Sequence, residues 1–339
     1  MSMPLESTEG PAAPIKRPAD TALRQFLNSN RAAIGTLAVF VVMITGFAIA
    51  SPRVFLHWPI YSSVLVTLPV ALCLVVPLVF VVTVGEIDLS FPATMGFSAW
   101  IFALVVQAGY SPFLGIGAAL VTGTLLGLGV GALVVVADLS SLIATLGLNY
   151  MLRGFILICT QGKSITLPGL ADSPAYNLLS SQLLGIPVQI FWAIGFVVLA
   201  ATLFNRHPFG ARVKAVGDNP DSAGQMGINV RNTRIAAFAF MGLGAALSGI
   251  FTTMINFTWW PTTGDGYLLP AIASVFVGGT PTWGGVGTIT GGAIGALTVS
   301  FIQSGIVAAG LSGFYVQFFN GLIIILSLLG HRWNQKRYR

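Results

Sequence analysis

Charge is scarce in this sequence of 339 residues. Its 16 Lys or Arg and 10 Asp or Glu make up 8% of the chain, and most cluster near the ends or in one internal segment. A soluble domain carries roughly a quarter of its residues as charges, so charge this thin excludes a globule coated by solvent and leaves no room for a separate soluble domain. Histidine is equally sparse: His57, His207 and His331 are scattered, with no acid and nucleophile beside them, which excludes a clustered hydrolytic centre. The two cysteines, Cys73 and Cys159, both lie inside apolar runs, so a disulfide framework, a zinc site and redox chemistry are excluded, and no metal or cofactor is expected. No Gly-x-x-x-x-Gly-Lys-Ser/Thr loop cradles nucleotide phosphates, so the chain does not hydrolyse nucleotide itself and is not read as an enzyme. The first 31 residues lack a short apolar core with a cleavage site. With Pro11, Pro14 and Pro18 they read as a disordered cytoplasmic tail, not a signal peptide.

What the chain has is apolar surface: 55% of its residues are hydrophobic and 40 are glycine. A helix needs about 20 mostly apolar residues to cross the hydrocarbon. Runs of that kind fall near 32–50, 62–84, 91–108, 113–137, 141–160, 187–205, 235–256, 267–280, 287–308 and 314–330. The fold class is therefore all-α, a polytopic membrane helix bundle of about ten transmembrane helices, in one membrane domain over 32–330. Residues 91–108 and 267–280 are short and bordered by Gly and Pro, so either is expected to be broken or re-entrant. Lys16, Arg17, Arg24 and Arg31 hold the amino end in the cytoplasm, and an even count returns the basic tail 331–339 to the same side. The segment 206–234, with five Lys or Arg, falls inside in this count, while 161–186 falls outside. Retention beside the cytoplasmic leaflet accounts for the net charge of +6 and leaves no case for nucleic-acid binding. Small residues recur every fourth position at Gly115, Ala119, Gly123, Gly127 and Gly131, and again at Gly287, Gly291 and Gly295. They provide flat faces for close helix packing.

Charges inside the membrane survive where they face a cavity or a partner. Glu86 and Asp88 stand between two apolar runs just before Pro92, and Arg153 stands in the fifth run. Thr145, Asn149 and Arg153 recur at four-residue spacing and form one polar stripe. Arg153 is expected to be balanced by Asp88 or Glu86, either as a structural ion pair or as part of a polar translocation path. The candidate path residues are Glu86, Asp88, Asn149, Arg153 and Asn256. Gln189, Trp259 and Trp260 have the chemistry to contact a neutral polyol. Trp192, Trp259 and Trp260 also suit an interfacial belt, and Gln189 and Asn256 suit interhelical hydrogen bonding. A break from Gly85 to Pro92 has a counterpart from Gly278 to Gly287, the layout of interrupted spans that flank a path.

The inner segment predicts a short docked helix. Asp218 or Asn219 can cap it, Pro220 suits its first turn, Ala223 and Gly224 offer a small-residue contact face, and Gly227 ends it.

These residues resemble the membrane-spanning permease subunit of bacterial sugar ABC importers of the ribose, xylose and autoinducer-2 type, within the branched-chain amino acid/sugar permease superfamily. The likeness runs from about 60 to 330. It is carried by Gly85-Glu86-Ile87-Asp88-Leu89-Ser90; by Ile143-Ala144-Thr145-Leu146-Gly147 with Arg153-Gly154 and Gln161-Gly162; by Gly210, Ala215, Gly217, Asn219, Pro220, Ala223, Gly227 and Ile228; and by Gly278-Gly279-Thr280 with Gly284, Gly285 and Gly287. Glu86 stands where the family commonly has glycine, and Phe91-Pro92-Ala93 where it has a Val-Gly stretch. The resemblance implies a multi-pass protein of the bacterial inner membrane that forms, as a homodimer, the path for a monosaccharide or related polyol. It implies two further partners: a cytoplasmic ATP-binding subunit, coupled through Gly217, Asn219, Pro220, Ala223, Gly224, Gly227 and Ile228, and a periplasmic sugar-binding protein. The alternative is an ion-coupled secondary transporter of a small polar solute.

Overall fold

The computed structural model of the protein describes residues 31–308 and 310–336, among which it holds 14 α-helices and four two-residue strands. The tail expected over 1–31 thus lies outside the described residues up to position 30, and Arg31 already begins the first helix, α1 (Arg31–Ala50). A single turn, α2 (Pro52–Phe55), leads into α3 (Trp58–Thr83), the helix of highest mean hydropathy among those long enough to cross a membrane. Because 78% of its most apolar stretch is buried, α3 runs through the interior of the bundle. Pro69 and Pro77 sit inside it. A proline leaves the carbonyl four residues earlier without its helical donor. At Cys73 that vacancy coincides with a close approach by Gly244, where a Cβ would overlap the Cys73 carbonyl.

The chain then leaves helical geometry over Gly85–Ser90 and resumes as α4 (Phe91–Gln107), α5 (Pro112–Val136) and α6 (Ser141–Thr160). The connection that follows carries β1 (Ile165–Thr166), α7 (Pro174–Leu179), β2 (Gln182–Leu183) and β3 (Ile186–Pro187). Helix α8 (Gln189–Asn205) returns across the bundle and bends by 64° into α9 (Pro208–Asp218), followed by α10 (Pro220–Gln225). The longest helix, α11 (Val230–Asn256), ends at β4 (Thr258–Trp259), which pairs antiparallel with β1. After it come α12 (Leu268–Val277), α13 (Ile289–Ala308) and α14 (Gly313–Lys336).

Five of these helices, α3, α5, α6, α11 and α13, are long and apolar enough to cross a membrane, and α8 with α9 makes a sixth if the bent pair is one span. The shorter apolar helices include α4 and α12, the two segments expected to be broken. At 1.5 Å per residue the ten residues of α12 reach about 15 Å, half a bilayer core. Helix α11 starts at Val230, five residues before the apolar run at 235, because Asn229 caps it by accepting from Asn232 N–H at 2.9 Å, and its first two turns carry Arg231 and Arg234. The small-residue stripe of α5 is buried at Gly115, Ala119, Gly123, Gly127 and Gly131 and meets α11: a Cβ at Gly127 would overlap the Phe238 carbonyl. Lipid gives no hydrophobic drive for helix association, so such backbone contact holds the pair.

Candidate functional site

Helix α6 is the least buried of the long helices, with only 17% of its apolar window covered, yet its polar stripe points into the bundle. Ser141 Oγ accepts from Ile87 N–H at 3.2 Å and Thr145 Oγ1 from Leu89 N–H at 2.9 Å. These bonds satisfy the extended stretch after Gly85, whose backbone would otherwise lack partners away from water. Asn149, the next residue on the stripe, keeps a buried Oδ1 without a hydrogen bond. Two turns beyond Thr145, the Arg153 guanidinium grips a different non-helical segment. It donates to the carbonyls of Pro261 (2.6 Å) and Thr263 (3.0 Å) and forms an ion pair with Asp265. Arg153 lies twelve residues into α6, about 18 Å from its start, so the loop 260–267 is held deep within the bundle.

That geometry corrects the expected pairing of Arg153 with Asp88 or Glu86. Glu86 instead meets Arg234 at 3.3 Å, placing a carboxylate beside the positive first turn of α11, where unopposed cations are unfavourable. Asp88 is 3% exposed and spends its Oδ1 on the Ser90 N–H (2.7 Å) and Ser90 Oγ (2.6 Å), an Asx turn that launches α4. Both carboxylates are thus structural groups of the break. Asp88→Ala is expected to lower stability by about 1–3 kcal/mol, the cost of unpaired buried donors, whereas Asp88→Asn, which retains an acceptor, keeps most of it. Thermal unfolding in detergent measures the difference.

The loop that carries Asp265 is fastened on every side. Trp259 is fully buried, with its Nε1–H on the Gly96 carbonyl at 2.9 Å, and Leu167 N–H donates to the Phe257 carbonyl at 2.8 Å. At Gly264, with φ +97°, a side chain would run into the Pro92 carbonyl. Beyond this knot Asp265, Gly266 and Tyr267 emerge on the wall of a cavity of about 740 Å³. Helices α3, α12 and α13 form most of the remaining walls, with Ser63 and Thr67 on α3, Ser274 on α12 and Ser300 on α13 among the hydroxyls and Ile60, Leu74 and Val299 among the apolar groups, and Arg53 of α2, His57 and Val316 of α14 complete them. The cavity runs along α3 from Pro59 to Val75, about 24 Å of helix, and stops there. Below it, Gly292 on α13 packs so closely that a Cβ would lie 2.8 Å from Val79 Cγ2. The chamber is blind toward the end of the bundle where α9 and α10 sit.

At that closed end three segments meet. The Gly285 N–H donates to the Thr83 carbonyl at 2.8 Å. Gly217, at the end of α9, abuts both residues: a Cβ there would overlap Thr83 O and lie 2.6 Å from Gly285 N. Next to this contact Asn219 caps α10 by accepting from Ser222 N–H at 2.9 Å, and Pro220 opens its first turn. Ala223 is buried, Gly224 is exposed with nothing within 4 Å of a Cβ position, and Gly227 adopts φ +79°. On α9 the Lys214 Nζ stands 4.4 Å from the Phe204 ring centroid, and partial burial lowers the pKa of its ammonium.

The family described as branched-chain amino acid transport system / permease component matches residues 60–328. The chain belongs to this permease family. Among its relatives, the ribose import permease protein RbsC of Bacillus subtilis (strain 168) is 33% identical over 251 residues, 74% of this chain and 77% of that protein. The autoinducer 2 import system permease protein LsrC of Salmonella choleraesuis (strain SC-B67) is 32% identical over 304 residues, 89% of this permease and 85% of that protein. The L-arabinose ABC transporter permease protein AraH of Azospirillum brasilense is 29% identical over 307 residues, 89% of each chain.

In this permease the residues singled out in the sequence fall into two groups. Glu86, Asp88, Asn149 and Arg153 come together along α6 and the break it holds, while Asn256 stands apart, donating to the Thr252 carbonyl at 2.8 Å on the exposed end of α11. None of the five lines the chamber. Trp192 and Gln189 serve the connection before α8, on the Leu178 carbonyl (2.9 Å) and Ser180 Oγ (2.7 Å). Among the lining residues missed by reading the sequence, which include Arg53 and Gln303, the lone carboxylate is Asp265. Its signal was present: a lone acid flanked by Gly264 and Gly266 in a stretch otherwise free of charge, which by default marks a functional position in a membrane chain.

Proposed function

We propose that this permease is the transmembrane subunit of a bacterial sugar ABC importer, with ten crossings and both termini in the cytoplasm, and that two copies enclose the path for a monosaccharide or related polyol. A separate cytoplasmic ATP-binding subunit grips α10, and a periplasmic sugar-binding protein delivers cargo at the opposite end, in the inner membrane. One observation carries the reading: a chamber with Asp265 and several hydroxyls on otherwise apolar walls, whose lining stops short of α10, with its closed end and α10 joined through the Gly217, Thr83 and Gly285 contact. Work delivered to α10 passes through that contact to α3 and the turn before α13, the elements that close the chamber. Gly217 and Ala223 seat this apparatus on the bundle, and Pro220 and Gly224 face outward from it.

Reconstitution provides the test. The purified permease alone in liposomes, under a proton or sodium gradient, is expected to accumulate neither labelled D-ribose nor L-arabinose. Adding a cognate ATPase and sugar-binding protein is expected to give uptake that requires ATP. Accumulation by the lone chain under an ion gradient would overturn the assignment in favour of a secondary carrier.

A further inference from the structure

A carboxylate on a membrane chamber has to be reconciled with a neutral cargo. Asp265 is 57% exposed at its side chain, so it is not buried for packing, and its Oδ1 is occupied by the Arg153 guanidinium, whose other nitrogen is committed to the Pro261 and Thr263 carbonyls. Arg153, with a side chain only 13% exposed, is locked by three acceptors and cannot swing toward solute. The pair is neutral as a unit, so it neither repels an uncharged solute nor traps a cation, while Oδ2, which takes no hydrogen bond among the described residues, remains a strong acceptor on a residue of the chamber wall. Charge-assisted hydrogen bonds of this kind are roughly twice as strong as neutral ones. Tyr267, two residues on, lines the same wall, and Ser63, Thr67, Ser274 and Ser300 lie on the other elements that enclose the space. Thr67 and Ser274 donate to carbonyls of their own helices, which leaves their oxygens as acceptors. Arg53, His57 and Gln303 also line the space, and the rest of the wall is largely apolar; a chamber with an aromatic residue, scattered donors and acceptors and apolar stretches suits a molecule that presents hydroxyls along one edge and C–H faces on the other. Its volume falls within the range of about 300–1,000 Å³ typical of small-molecule sites.

We propose that Asp265 contacts the transported solute, its free carboxylate oxygen accepting hydrogen bonds from the hydroxyls of a neutral polyol, and that Arg153 is its positioning residue. The inference rests on the importer assignment above. It makes residue 265 the element that recognises hydroxylated cargo inside the membrane, after the delivering protein has released it.

The test uses the complete importer, permease with ATPase and binding protein, in proteoliposomes, with D-ribose and L-arabinose as probes. It measures both sugar uptake and ATP hydrolysis stimulated by the loaded binding protein. Asp265→Asn keeps an acceptor for Arg153 and is expected to fold, to retain stimulated ATP hydrolysis, and to move at least tenfold less sugar per ATP. Asp265→Glu is expected to recover part of that ratio. Arg153→Lys, which cannot bridge three acceptors as a fixed fork, is expected to lower the ratio as well. An unchanged ratio in Asp265→Asn overturns the proposal, as does a parallel fall of uptake, hydrolysis and thermal stability, which would make Asp265 a purely structural partner of Arg153. If the unaltered importer moves no sugar while hydrolysing ATP, it is the importer assignment that fails.

Discussion

Replacing Gly224 with tryptophan is expected to abolish ATP-driven uptake and to remove the ATPase from the purified complex, while leaving insertion and thermal stability of the permease as they were. The expectation follows from position. Gly224 is exposed, lies in an ordinary helical conformation, and has no atom within 4 Å of where a Cβ would project. A surface change of this kind shifts stability by no more than about 0.5 kcal/mol. An indole on the outward side of α10, however, occupies the volume that a partner's cleft must accept. Retention of the ATPase and unchanged uptake would show that α10 docks nothing.

Gly217→Val is expected to have the opposite signature. Its Cβ would coincide with the Thr83 carbonyl and crowd the Gly285 nitrogen, and all three atoms involved are backbone, so no side chain can swing aside. Overpacking of this kind costs about 1–3 kcal/mol and more where backbone must shift. The expected result is a large loss of monodisperse protein on extraction and a clear fall in melting temperature, with Gly217→Ala affected in the same direction. The two glycines are seven residues apart and equally plain in the sequence, yet one seats the inner segment and the other faces away from the bundle. A stable Gly217→Val protein would remove the rigid contact on which force transmission depends.

How much of this was readable in advance depended on whether the chemistry was local. Helix α6 matches its expected limits, 141–160, because Ser140 and Ser141 open an apolar run and Gln161-Gly162 closes it in left-handed backbone. The start of α10 was legible for the same reason: Asn219 and Pro220 act within one turn. Arg153 was correctly placed on an inward stripe, but its partner was not, because choosing among carboxylates at 86, 88 and 265 requires knowing that the loop after α11 dives back to the depth of Gly96. Nothing local encodes that dive. It is imposed by distant partners: strand β1, the Gly96 carbonyl that holds Trp259, and the Pro92 carbonyl that only Gly264 can approach. Trp259 read as an interfacial anchor before a sugar contact, and is a buried strut. The chamber was invisible for a related reason. Most of its wall comes from α3, α12 and α13, whose small hydroxyl residues look like packing residues until three helices are set side by side.

The grip of α6 on two irregular segments has a dynamic corollary. Ser141 and Thr145 hold the stretch leading into α4, and Arg153 holds the stretch leading into α12. Because the helix is so thinly covered by its own chain, any roll about its long axis would drag both tethered stretches together. Opening at one mouth and closing at the other would then be two readings of a single crank, not separate events needing separate signals.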